Sequence, residues 1–130
     1  MSSVYLDSSA IVKLVVREAE SGALRRFLRG HASRISCGLA RTEVPRAVAD
    51  EDAAAMDVAR EILAGIQLMH LDDALLDAAG SLDASGLRSL DAIHLAAALR
   101  LGQDLAFVVT YDHRMASAAG AMGLPVAAPA

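Results

Sequence analysis

Short apolar runs ending on polar, turn-forming residues alternate along this chain with segments whose apolar residues recur at helical spacing. The first run, Val4-Tyr5-Leu6, stops at Asp7-Ser8-Ser9, a strand end followed by helix-capping residues. A short helix is predicted through Ala10 to Val16. A second runs from about Glu18 to Arg29, with Leu24, Phe27 and Leu28 on one face and Arg25, Arg26 and Arg29 on the other. Arg34 to Cys37 reads as a strand. Pro45 belongs in a first helical turn, so a helix begins near Thr42, or a longer one is kinked there. A helix over Ala53 to Ala64 ends at Gly65, Ile66 to Leu71 reads as a strand, and Asp72-Asp73 caps a short helix through Ala79. Leu90 to Leu101 is helical and apolar on nearly all sides, broken only by Asp91, His94 and Arg100, so it is buried from more than one side. Gly102 ends it.

Ala106 to Thr110 is a continuous apolar run of the kind found in a parallel sheet covered on both faces. After Tyr111-Asp112 a small-residue helix extends to about Met122, and Gly123-Leu124-Pro125-Val126 reads as an edge strand. Strands alternating with helices throughout predict an α/β sandwich around a mainly parallel sheet of about five strands. Ligands in such folds bind beyond the carboxyl ends of the strands, where strand order reverses. The first and penultimate strands are expected to be central neighbours, which puts Asp7 and Asp112 on one rim.

Composition narrows the picture. With 130 residues the chain is expected to form one domain over 1–130 and to bury roughly two-thirds of its extended surface. Aromatic residues are only 3%, so the core must be aliphatic, and little material exists for a base-stacking platform. No apolar run reaches the roughly 18 residues of a membrane span. Met1-Ser2-Ser3 leads into the first strand without a basic n-region, and a cytoplasmic location is expected. Cys37 is the only cysteine, which excludes an internal disulfide and a cysteine-based zinc site. The formal charge of −4 argues against a general nucleic-acid binder. Lys13 is the only lysine and every other cation is arginine, the side chain suited to bidentate phosphate contact.

Four acids stand where a carboxylate does more than wet a surface: Asp7 and Asp112 after apolar strands, Glu43 and Asp91 at helix starts. Each alone has a structural explanation. Asp7 and Asp112 can cap the following helices. Asp91, two residues after a capping Ser89, and Glu43 are each favoured by a helix dipole, by roughly 0.3–1 kcal/mol. Together they are harder to dismiss, because converging carboxylates without cations repel one another and a divalent ion relieves that. Oxygen-only donors suit magnesium or manganese. His31, His70, His94 and His113 show no metal-ligand spacing, which argues against zinc. His94 reads as a core residue or a support for a ligand, and His113 as a surface residue or a proton shuttle.

The segments "VYLDSSAIVKL" (Val4–Leu14), "RTEVPRAV" (Arg41–Val48), "LRSLDAIHLAAAL" (Leu87–Leu99) and "FVVTYDHRM" (Phe107–Met115) resemble, in order and spacing, the motifs of PIN-domain ribonucleases, and most closely the VapC toxins of bacterial type II toxin–antitoxin pairs. The resemblance covers the whole chain, including the closing "GLPV". It implies a PIN-like α/β/α sandwich and a magnesium- or manganese-dependent endoribonuclease. It assigns Asp7, Glu43, Asp91 and Asp112 as metal-binding and catalytic, and Ser8 as a hydroxyl bonded to a metal-bound water. Glu43 is left as a ligand or as the group that positions the attacking water, and the number of metals is left open. Pro45 beside Glu43 departs from the pattern and bears on that helix's entry angle.

Arg88 and Arg114 flank catalytic aspartates and rank first for phosphate contact with an RNA substrate. The resemblance further implies a VapB-type antitoxin whose basic segment fills the acidic groove, and a homodimer. The aliphatic faces around Leu14, Leu24 and Leu28 would serve the dimer or the core. A non-catalytic PIN-like binding module is the alternative. A receiver-like phosphoacceptor fits less well, lacking an acidic pair before the first helix and a late lysine. A haloacid-dehalogenase-like phosphatase would need an acid where Ser9 stands.

Overall fold

A computed structural model describes residues 2–83 and 86–130; Met1, part of the predicted N-terminal lead-in, lies outside them. The elements run β1 (Ser3–Leu6), α1 (Ser8–Val15), α2 (Ser21–Leu28), β2 (Arg34–Cys37), α3 (Ala40–Ala47), α4 (Ala53–Ala64), β3 (Gln67–Met69), α5 (Asp73–Gly80), α6 (Ser89–Arg100), a 3-10 turn at Gly102–Asp104, β4 (Leu105–Val109), α7 (His113–Ala121) and β5 (Val126–Ala127). The five strands form one sheet in the order β3-β2-β1-β4-β5, and every pair is parallel. This is the predicted α/β sandwich, with β1 and β4 as central neighbours.

Period-two alternation in the central strands feeds two cores. Val4, Leu6 and Val109 face a cluster with Ile11, Leu24, Leu28 and Val44 from α1 to α3. Tyr5 and Val108 face the other, with Leu75, Leu95 and Met115 from α5 to α7. Leu14, Leu24 and Leu28 are all core, so they are not available as a dimer surface. Leu14 is the most exposed of them, at 7%.

Several boundaries differ from expectation. Of the two readings of α3 the longer helix holds: it starts at Ala40 rather than near Thr42, with Pro45 inside it. Ala40 and Val44 are fully buried, and that packing anchors the turn ahead of the proline. β3 is shorter than Ile66–Leu71, since it pairs only with the three residues Ile35 to Cys37 at the sheet edge. The last strand begins at Val126, because Gly123 takes a left-handed φ of 78° and Pro125 has no N–H for the ladder. Gly102 ends α6 with φ 54°, as the sequence implied.

Candidate active site

Parallel strands share one carboxyl rim, and strand order reverses between β1 and β4. Leu6 stands opposite Val109, so the next residues, Asp7 and Thr110, emerge side by side. The Asp7 amide donates to the Val109 carbonyl at 3.2 Å. Asp7 caps α1: its Oδ1 accepts from the Ala10 amide at 3.0 Å and the Ser9 hydroxyl at 2.6 Å. Its Oδ2 accepts from the Thr110 hydroxyl. Thr110 Oγ1 accepts in turn from the Asp112 amide at 3.1 Å, and Ser9 Oγ from the Tyr111 amide at 3.0 Å. Two hydroxyls thus lace the two central strand ends into one unit. Asp7 is buried, and burial raises its pKa above the ordinary 3.8 even though the bonds from Ser9, Thr110 and Ala10 and the charge of His94 pull it down.

Asp112 caps α7 through Oδ1, which accepts from the Arg114 amide at 2.9 Å and the Met115 amide at 3.2 Å. Its Oδ2 accepts no hydrogen bond among the described residues. α6 runs back against the strands toward the start of β4, which brings its N-terminus, and Asp91, to the same rim. The cap position there is Arg88, the last residue with extended dihedrals, and the predicted cap Ser89 is already helical. Asp91 accepts no hydrogen bond among the described residues. Its pKa is raised first by burial and then by the charge of Asp112, with Glu43 adding and Arg88 and His94 opposing.

Glu43 lies in the first turn of α3. Its Oε1 takes a hydrogen bond from the Ser8 hydroxyl at 2.7 Å and lies 2.6 Å from His94 Nε2. Burial opposes ionisation of Glu43, but the bonds from His94 and Ser8 outweigh it and lower its pKa. Ser8, assigned by the resemblance to a metal-bound water, is engaged with Glu43 here. His94 is buried, its Nδ1 2.7 Å from Tyr5 Oη and 3.7 Å from Cys37 Sγ. Burial would lower its pKa, yet hydrogen bonds to Cys37 and Glu43 raise it to about 10. Arg88, Arg114 and His113 are exposed, and Arg114 and His113 line a cleft of about 740 Å³ with Leu87, Ser117 and Met122.

The rim therefore gathers all four predicted acids with Ser8, Arg88 and Arg114. It does not close them into a cage: among the described residues no three His, Cys, Asp or Glu side chains stand where they could jointly hold an ion. Capping accounts for part of this, since both Asp7 oxygens and one oxygen each of Asp112 and Glu43 are already bonded. The donor chemistry still fits a hard divalent cation. Asp91, Glu43 Oε2 and Asp112 Oδ2 accept no hydrogen bond among the described residues, and Asp91 registers its acidic neighbours without full compensation. Sequence reasoning did not assign Ser9, Thr110 or Tyr5 to the site. The first two are hydroxyls two positions from Asp7 and Asp112, a usable signal. Tyr5 is an apolar-strand residue and carries none.

The family model for the PIN domain matches residues 4–121. The chain is 54% identical over 129 residues to Ribonuclease VapC46 of Mycobacterium tuberculosis, covering 99% of each. It is 35% identical over 131 residues to Ribonuclease VapC47 of that species, covering 97% of this chain and 96% of the relative. A crystal structure of Mycobacterium tuberculosis VapC20, described as a sarcin-ricin loop cleaving toxin, superposes with a TM-score of 0.73 at 18% identity. It spans 94% of this chain and 96% of its own, and at that identity it speaks for the fold alone.

Proposed function

This chain belongs to the PIN domain family, and on that premise we propose that it is a VapC-type endoribonuclease that hydrolyses RNA phosphodiester bonds as the toxin of a toxin–antitoxin pair. The observation that carries this reading is the rim itself. Asp7, Glu43, Asp91 and Asp112 stand on the rim where strand order reverses, and Asp91 is raised by burial and by Asp112. A structural set of helix caps gains nothing from such repulsion. A divalent-ion site uses it.

Magnesium or manganese is the proposed cofactor, with Asp7, Asp91 and Asp112 as ligands and Glu43 as a further ligand or the group that positions the attacking water. Bound there, the ion supplies positive charge to the scissile phosphoryl group and the leaving oxygen. The chain's own part is orientation. Ser9 and Thr110 hold Asp7, Ser8 holds one oxygen of Glu43, and Arg88 and Arg114 contact RNA phosphates. The proposed protein partner is a VapB-type antitoxin whose basic segment suits the acidic groove, and the proposed assembly is a homodimer.

Asp7→Asn tests the reading, because it keeps the shape and removes the charge. Manganese-dependent cleavage of RNA should fall by roughly 10²–10³-fold or more, the scale of lost electrostatic preorganisation, while circular dichroism stays native. Cleavage at the wild-type rate would overturn the assignment. RNA binding without cleavage by the wild-type protein would favour the non-catalytic binding module.

A further inference from the structure

His94 is the one ionisable side chain between Ala92 and Leu99 on α6, and it is only 3% exposed. Its ring joins the two layers of the molecule. Nδ1 meets Tyr5 of β1, whose ring belongs to the core under α5 to α7, and Nε2 meets Glu43 of α3, in the opposite layer. The Tyr5 and His94 rings are also packed edge to face, with centroids 5.8 Å apart. Glu43 sits on an eight-residue helix that contains Pro45 and so lacks one of its backbone hydrogen bonds, a weak platform for aiming a side chain. A carboxylate only accepts, so the 2.6 Å contact requires a hydrogen on Nε2. The imidazolium and the Nε2–H tautomer both carry one.

We propose that His94 is a positioning residue for Glu43. Braced from behind by Tyr5, its Nε2–H fixes Glu43 Oε1 together with the Ser8 hydroxyl and reserves Oε2 for the reacting centre. Both donors converge on the same oxygen, and Oε2 accepts nothing among the described residues. Both His94 nitrogens are bonded, as a purely structural histidine's would also be. Such a histidine would not need to divide a functional carboxylate into one held oxygen and one free one. The inference rests on the ribonuclease reading above.

Three measurements test it. In the metal-free wild-type protein, a nitrogen-15 spectrum of the side chains should show His94 protonated at Nε2; a proton on Nδ1 alone overturns the clamp. His94→Phe keeps the ring and removes both nitrogens, whereas His94→Gln restores an N–H donor at about the Nε2 position. The Phe variant should lose roughly 10–100-fold in kcat on a single-stranded RNA and in calorimetric Mn²⁺ affinity without RNA, with KM for RNA nearly unchanged. The Gln variant should recover most of both. Equal values for the two variants, or a change confined to thermal unfolding, overturn the proposal. If His94→Phe does not fold, Tyr5→Phe removes only the brace and should give a smaller loss in the same two readouts; wild-type values there also count against it. Loss of cleavage in Asp7→Asn with full cleavage in His94→Phe sinks this inference alone, whereas full cleavage in Asp7→Asn sinks the ribonuclease reading itself.

Discussion

At the residue scale, Asp7 shows a site charge held against the preference of its surroundings. Its folded-state pKa lies above the ordinary 3.8, with burial as the leading cause. The sign follows directly: its contribution to stability is full below pH 3.8 and is lost as pH rises through the folded value. At neutral pH the ionised carboxylate therefore weakens the fold. Asp7→Asn keeps Oδ1 as acceptor for Ala10 and Ser9 and turns its amide toward Thr110, whose hydroxyl can accept. Urea unfolding in EDTA at pH 7 should find the variant more stable, in the roughly 0.5–2 kcal/mol range of single stabilising changes, with the gain fading as pH falls toward 3.8. A less stable variant would refute the burial argument. Excess manganese should narrow the gap, since an ion at a hundredfold its Kd adds about 2.7 kcal/mol to the protein that binds it. Equal stabilisation of both proteins would remove Asp7 from the ligand set.

At the element scale, α6 carries most of the site's support: Asp91 in its first turn, His94 one turn later, and a packed stretch from Leu95 to Ala98. Ala97 and Ala98 are fully buried between α5, α7 and the sheet, so the helix approaches its neighbours by having almost no side chain. Ala97→Leu should cost about 1–3 kcal/mol by overpacking, read from the urea midpoint. It should also reduce cleavage, because a displaced α6 moves Asp91 and His94 together; a large stability loss with unchanged activity would mean that the site tolerates helix movement. Elements were the level most legible in the sequence. α4 spans Ala53–Ala64 and stops at Gly65 as expected, and Asp52, which the sequence reading did not single out, caps it. For α3 the sequence left two starts open, and buried Ala40 and Val44 decide for the longer helix with Pro45 inside. Contacts across the fold were not legible. Thr110 reaches Asp7 across 103 positions and Tyr5 reaches His94 across 89, and both depend on how β1 and β4 or α6 come to lie together. Hydrophobic pattern specifies which face a residue takes, not which partner it meets there.

At the scale of the whole molecule, an acidic protein with an acidic rim has to bind a polyanion, and several of its cations are held elsewhere. Lys13 is paired with Glu18 and Glu20, and Arg100 with Asp72. Arg25 and Arg34 hold backbone carbonyls of Leu14, Leu28 and His31. Arg88 and Arg114 are exposed, make no side-chain hydrogen bond among the described residues, and flank Asp91 and Asp112. RNA affinity should therefore depend on few phosphate contacts and show a shallow salt dependence for a nucleic-acid enzyme. Each contact to a single strand contributes about 0.7 to the slope of log affinity against log salt concentration. Arg88→Ala and Arg114→Ala should each lower the slope by about that amount and weaken binding at low salt, by fluorescence anisotropy with a catalytically dead Asp7→Asn background. An unchanged slope in both would move the RNA path elsewhere, toward the exposed Arg26 on α2 and Arg29 at its C-terminal end. Manganese should strengthen binding in the wild type more than in Asp7→Asn, because the ion converts the rim from a repulsive surface to an attractive one. A basic antitoxin segment needs no such conversion, so its affinity should survive EDTA while RNA affinity falls.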